Sequence, residues 1–97
     1  MARYVEQSFV GAEMDIDGEV FERCTFDRCV LIYRGGEMPT VLDCTLNSSR
    51  FKLLDAAART VEFMTHLYHG MGPGGQRLIE ETFNQIRRPG GPASKGN

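Results

Sequence analysis

A thiolate held beside an imidazole would be the shortest route from this sequence to catalysis. The chain offers three cysteines (Cys24, Cys29, Cys44) and two histidines (His66, His69) from which to build one. Such a nucleophile needs a neighbour that depresses the thiol pKa, and no histidine lies near a cysteine in sequence. Zinc is the next chemistry to consider. Cys24-x4-Cys29 followed by Cys44 lacks the tight C-x2-C knuckle and a nearby fourth ligand. The cysteines therefore read as small residues buried where the chain bends. His66 and His69 are three apart and share a helical face, a spacing that suits a metal or an anion and equally a solvated flank. No catalytic residue, metal ligand or cofactor is assigned, and the chain is expected not to be an enzyme.

Two glycine-rich stretches could present backbone amides to an anion. Gly72-Pro73-Gly74-Gly75 is not followed by the Lys-Ser/Thr of a P-loop and reads as a breaker between helices. Arg34 beside Gly35-Gly36 is the better candidate, and with His66 and His69, where an oligomer brings them together, it defines a weak ligand site for an anionic metabolite or nucleotide. A second surface is acidic. Glu13, Asp15, Asp17, Glu19 and Glu22 crowd one stretch that is either a solvated strand face or a dock for a basic partner, with Tyr33 and Met38 as apolar contacts nearby.

The elements that would hold these residues fall into two halves. Residues 3–54 consist of short β-branched and aromatic runs punctuated by Gly11, Gly18 and Gly35-Gly36. Large apolar residues recur every five positions: Ile16, Phe21, Phe26 and Leu31, then Val41, Leu46 and Phe51, with a lapse into a loop at Gly36. Small residues precede several of them by two: Cys24, Cys29, Cys44 and Ser49. The block from Cys24 to Leu31 returns as Cys44 to Phe51, twenty residues on. If each five-residue unit forms one side of a square coil, residue i+20 stacks on residue i at the interstrand spacing of about 4.8 Å. Phe26 would then lie under Leu46, Leu31 under Phe51 and Cys24 under Cys44. The competing architecture is a small antiparallel meander.

From Asp55 the period changes to that of a helix. Asp55 suits an N-cap, Val61, Met64, Leu67 and Tyr68 share a face, and His69-Gly70 suits a C-terminus. Met71–Gly75 reads as a connector, and a second helix is expected over residues 76–87, carrying Leu78, Ile79, Thr82, Phe83 and Ile86. Neither helix is long enough to be stable alone. The pattern predicts an α+β fold, one β-then-α domain over residues 1–88 (a β coil at 1–54, a helical hairpin at 55–88), and a disordered tail at 89–97.

Composition limits the partners. With 41% hydrophobic and 25% charged residues, the chain is ordinary for a globular protein. A net charge of −2 argues against a nucleic-acid binder. No apolar run reaches the roughly twenty residues needed to span a bilayer, and residues 1–6 lack a signal-peptide layout. An odd number of cysteines fits reduced thiols, so a cytoplasmic location is expected.

At the quoted residues the sequence resembles pentapeptide-repeat proteins, whose unit has a central Leu or Phe with Ala or Cys two before it. The resemblance covers roughly residues 14–54, about two turns. It extends to small bacterial and prophage-encoded proteins of unknown function that pair a short Cys-Thr-Phe repeat with a Gly-Gly-Glu-Met-Pro-like turn and a helix. It implies a short right-handed quadrilateral β-helix for the first half. The DNA mimicry of long acidic family members is not implied for two turns of weak charge. The functional expectation is a non-enzymatic interaction module. It would be a homo-oligomer that binds another macromolecule, as a phage or prophage accessory protein modulating a host system would.

Overall fold

The structure is a computed structural model that describes residues 2–90. Nine strands come first: β1 (Arg3–Val5), β2 (Ser8–Val10), β3 (Glu13–Asp15), β4 (Val20–Glu22), β5 (Thr25–Asp27), β6 (Val30–Tyr33), β7 (Thr40–Leu42), β8 (Thr45–Asn47) and β9 (Arg50–Leu53). Helices α1 (Asp55–Gly70) and α2 (Gly72–Arg87) follow. The fold is α+β. It divides into two compact units between Arg59 and Thr60. The tail expected to be disordered lies outside the described residues from position 91 onward; Pro89 and Gly90 form a turn.

Three parallel sheets, ordered β1-β4-β7, β2-β5-β8 and β3-β6-β9, are visited in rotation. Each circuit therefore makes one tier, and the strands pair between tiers. Parallel pairing rules out the antiparallel meander. Phe26 pairs with Leu46 and Leu31 with Phe51 in the twenty-residue register.

The register expected below that level needs correcting. There are three tiers, not two, because Tyr4, Phe9 and Met14 pair with Phe21, Phe26 and Leu31. The offset in this first step is seventeen residues, so the five-residue spacing restarts after Met14. Ile16 is 2% exposed and belongs to the core, but it lies outside the strand register. The segment after Gly35 does not break the stack either. It supplies four residues between Gly35 and Thr40, where the first tier has only Glu19 between Gly18 and Val20. The short link is the earlier one.

The bends repeat as strictly as the strands. Left-handed φ values of 53–88° occur at Glu6, Gly11 and Gly18, then at Arg23, Arg28 and Gly35, then at Asp43, Ser48 and Asp55. These are three columns with the same seventeen- and twenty-residue steps. Six of the nine residues are not glycine, and each carries a cost of about 1–2 kcal/mol. That cost is tolerated because the ladder continues through the bends: Arg23 N donates to Leu42 O at 2.8 Å and Arg28 N to Asn47 O at 2.9 Å. Asp55 occupies the third bend of the third tier. The chain leaves that bend as α1, with Ala57 N donating to Leu54 O at 3.1 Å.

The core is the middle tier. Phe21, Phe26 and Leu31 are at most 1% exposed, and Cys24 and Cys29 are equally buried. Aromatic rings follow the register: Tyr4 stacks on Phe21 at 5.2 Å and Phe9 on Phe26 at 5.3 Å, while Phe21 meets Phe26 edge-on.

In the helical unit, the expected Met71–Gly75 connector shrinks to Met71 alone, and α2 begins at Gly72 instead of near 76. Pro73 stands in the first turn, where a missing N–H costs nothing. Gly75 is buried, and a Cβ there would run into the Leu67 carbonyl oxygen. The absence of a side chain lets the two helices touch at this point.

Candidate functional site

The small residues two before Phe26, Leu31, Leu46 and Phe51 share a repeated internal task. The Ser49 hydroxyl accepts from Cys29 N at 2.9 Å and donates to Phe26 O at 3.0 Å. The Cys44 sulfur stands in the same relation to Cys24 N, at 3.4 Å, and to Phe21 O, at 3.6 Å. Cys24 and Cys29 reach down in turn to Tyr4 O and Phe9 O, both at 3.4 Å. The thiols thus stitch one tier to the next. All three are free, with Cys24 and Cys29 buried and Cys44 partly so. Among the described residues, no group of three or more His, Cys, Asp or Glu is placed to hold a metal ion.

The backbone at Arg34–Gly36 does form an anion nest, and the anion it holds is internal. Asp17 accepts from Arg34 N at 2.9 Å and from Gly36 N at 2.7 Å. A Cβ on Gly36 would collide with that carboxylate. The Arg34 guanidinium donates to Asp15 at 2.9 Å and to Asp55 at 3.1 Å. Its pKa is raised first by the hydrogen bond to Asp55 and then by that to Asp15. An external anion would therefore compete with three carboxylates already in place. His66 and His69 both lie on α1 and are exposed, with His69 edge-on to Tyr68 at 5.2 Å.

Most of the acidic stretch is also engaged within the chain. Glu22 pairs with Arg3 at 2.8 Å and with Arg23 at 3.1 Å. Glu19 accepts from Ala2 N at 3.1 Å. Arg23 bridges Glu22 to Glu6, and its pKa is raised chiefly by the Glu6 hydrogen bond. Of the five acids singled out, Glu13 alone has no side-chain ion-pair or hydrogen-bond partner among the described residues. Tyr33 packs on the core and donates its hydroxyl to Gly36 O at 3.0 Å. Met38 is exposed.

What the structure leaves open is apolar. In the third tier, the strand centres Val41, Leu46 and Phe51 are 42–49% exposed, although their equivalents one tier below are sealed. In the helical unit, a groove of ≈ 260 Å³ runs between α1 and α2. It is lined by Val61, Met64, Tyr68, His69, Ile79 and Phe83. Phe63 and Leu78 are exposed beyond it. The open third tier had a sequence signal, because a repeat that stops must expose its last rung. The first tier had one too, in Tyr4-x4-Phe9-x4-Met14.

No helix among the described residues is long and apolar enough to cross a membrane. Comparison with family models, curated proteins and solved structures finds no match to this chain.

Proposed function

We propose that this chain is a non-enzymatic interaction module that acts as a homo-oligomer and binds another macromolecule. We further propose that its β unit is a short right-handed quadrilateral β-helix of the pentapeptide-repeat kind. The coil reading draws support from the twenty-residue step, four five-residue units long. It is also supported by the Gly18 N to Glu37 O bond of 2.9 Å, which links the tiers on the side without a sheet.

The interaction reading rests on one observation. Inward residues that are sealed in the second tier stand nearly half exposed in the third, and apolar surface of that kind is a recurrent mark of protein contact. The polar groups most able to bind small anions or bases are largely occupied by each other. Light scattering at micromolar concentration tests the oligomer: a mass of two or more chains is expected, and a mass of one chain overturns it. A pull-down from the native cytoplasm with the intact chain as bait identifies the macromolecular partner.

A further inference from the structure

We infer that the third tier receives the first tier of a second copy, so that chains stack head to tail. This rests on the self-association proposed above and specifies its geometry.

Both ends of every sheet are edge strands, β1, β2 and β3 at one end and β7, β8 and β9 at the other. Parallel edges of matched register invite continuation. If the pairing pattern simply continues, each third-tier residue meets the first-tier residue of its own column. Val41 then covers Tyr4, Leu46 covers Phe9 and Phe51 covers Met14. The outward pair Leu42 and Val5, both exposed in one chain, also come together.

The charges decide the direction. In the β3-β6-β9 sheet, Glu13 pairs with Val30 and Val30 with Arg50; Asp15 pairs with Ile32 and Ile32 with Lys52. One end of this sheet is acidic, its middle apolar and its other end basic. Stacked head to tail, Arg50 lands on the unpartnered Glu13 and Lys52 on Asp15 of the next copy. A contact between two third tiers would instead gather two sets of Arg50 and Lys52 on the β9 edges, with the acids of that tier, Asp43 and Asp55, lying in its bends and not on that strand. Opposite charges directly across a strand pair stabilise it and like charges destabilise it. The contact is heterologous, so it propagates rather than closing at two copies.

Charge reversal tests this on the full chain. Arg50→Glu and Glu13→Arg each alter one exposed residue, and each variant alone is expected to associate about tenfold more weakly than the parent. Mixed in equal amounts, the two variants restore association, because each supplies the end the other has lost. Added salt is expected to weaken the parent's association and leave a variant's residual association unchanged.

Several outcomes overturn the inference. If the parent associates and neither reversal matters, the contact lies elsewhere while the interaction reading stands. If Phe83→Ser abolishes association and Arg50→Glu does not, the helical groove is the joint. If the parent has the mass of one chain, self-association fails with it.

Discussion

Replacing Phe26 and then Phe51 by alanine probes the stack at a sealed tier and at an open one. The two residues are centres of adjacent sides, separated by one tier. Phe26 is 0% exposed and has Phe9 stacked at 5.3 Å and Phe21 edge-on at 5.3 Å. A buried Phe→Ala costs about 3–5 kcal/mol in transfer and cavity terms. Phe51 is 49% exposed and leaves a dent open to water instead of a cavity. Its loss should cost about half as much or less, ~1–2 kcal/mol at dilutions where the chain is single. A domain of this size has about 5–15 kcal/mol to lose, so the first change removes a large share of the stability and the second a minor one. Urea denaturation followed by far-UV circular dichroism, at two protein concentrations, measures both. The Phe51→Ala cost should grow with concentration if a second copy covers that rung, whereas the Phe26→Ala cost should change less. Equal costs for the two variants in a demonstrably single chain would refute the open third tier.

Other expectations follow from individual contacts. Ser49→Ala leaves Cys29 N without its side-chain acceptor and should cost about 1–3 kcal/mol; Ser49→Cys, the arrangement already found at Cys44, should recover part of it in the same denaturation assay. Gly75→Ala should lower the melting temperature despite alanine's better helix propensity, because its Cβ meets the Leu67 carbonyl; a rise would place the helices further apart than described. Gly35→Ala should destabilise by more than 1 kcal/mol, since Gly35 has φ 88° and its Cβ would meet Ala56 Cβ and Ala57 N at 2.7 Å. Asp17→Ala vacates the nest at Arg34 and Gly36; a thermal-shift screen with phosphate should register binding to this variant and none to the parent.

The five-residue repeat and the change of period at Asp55 are legible in the chain because both are local. Side-chain size at fixed spacing says which residues turn inward, and the twenty-residue recurrence from Cys24–Leu31 to Cys44–Phe51 sets the stacking of the last two tiers. The roles of Cys44 and Ser49 are visible in the same recurrence, since a thiol and a hydroxyl interchange only where a small polar atom is wanted. The first tier escaped for a physical reason: the link from Gly18 to Val20 is three residues shorter than its counterpart, so a fixed period slips out of phase after Met14. The nest at Arg34–Gly36 shows the other limit. Its amides advertise an anion site in sequence, but Asp17, seventeen residues earlier and one tier away, reaches them only once the tiers stack. Occupancy of a polar site depends on contacts distant in sequence. For the same reason only the assembled tiers reveal that Glu13 and Arg50, thirty-seven positions apart, cap opposite ends of one sheet.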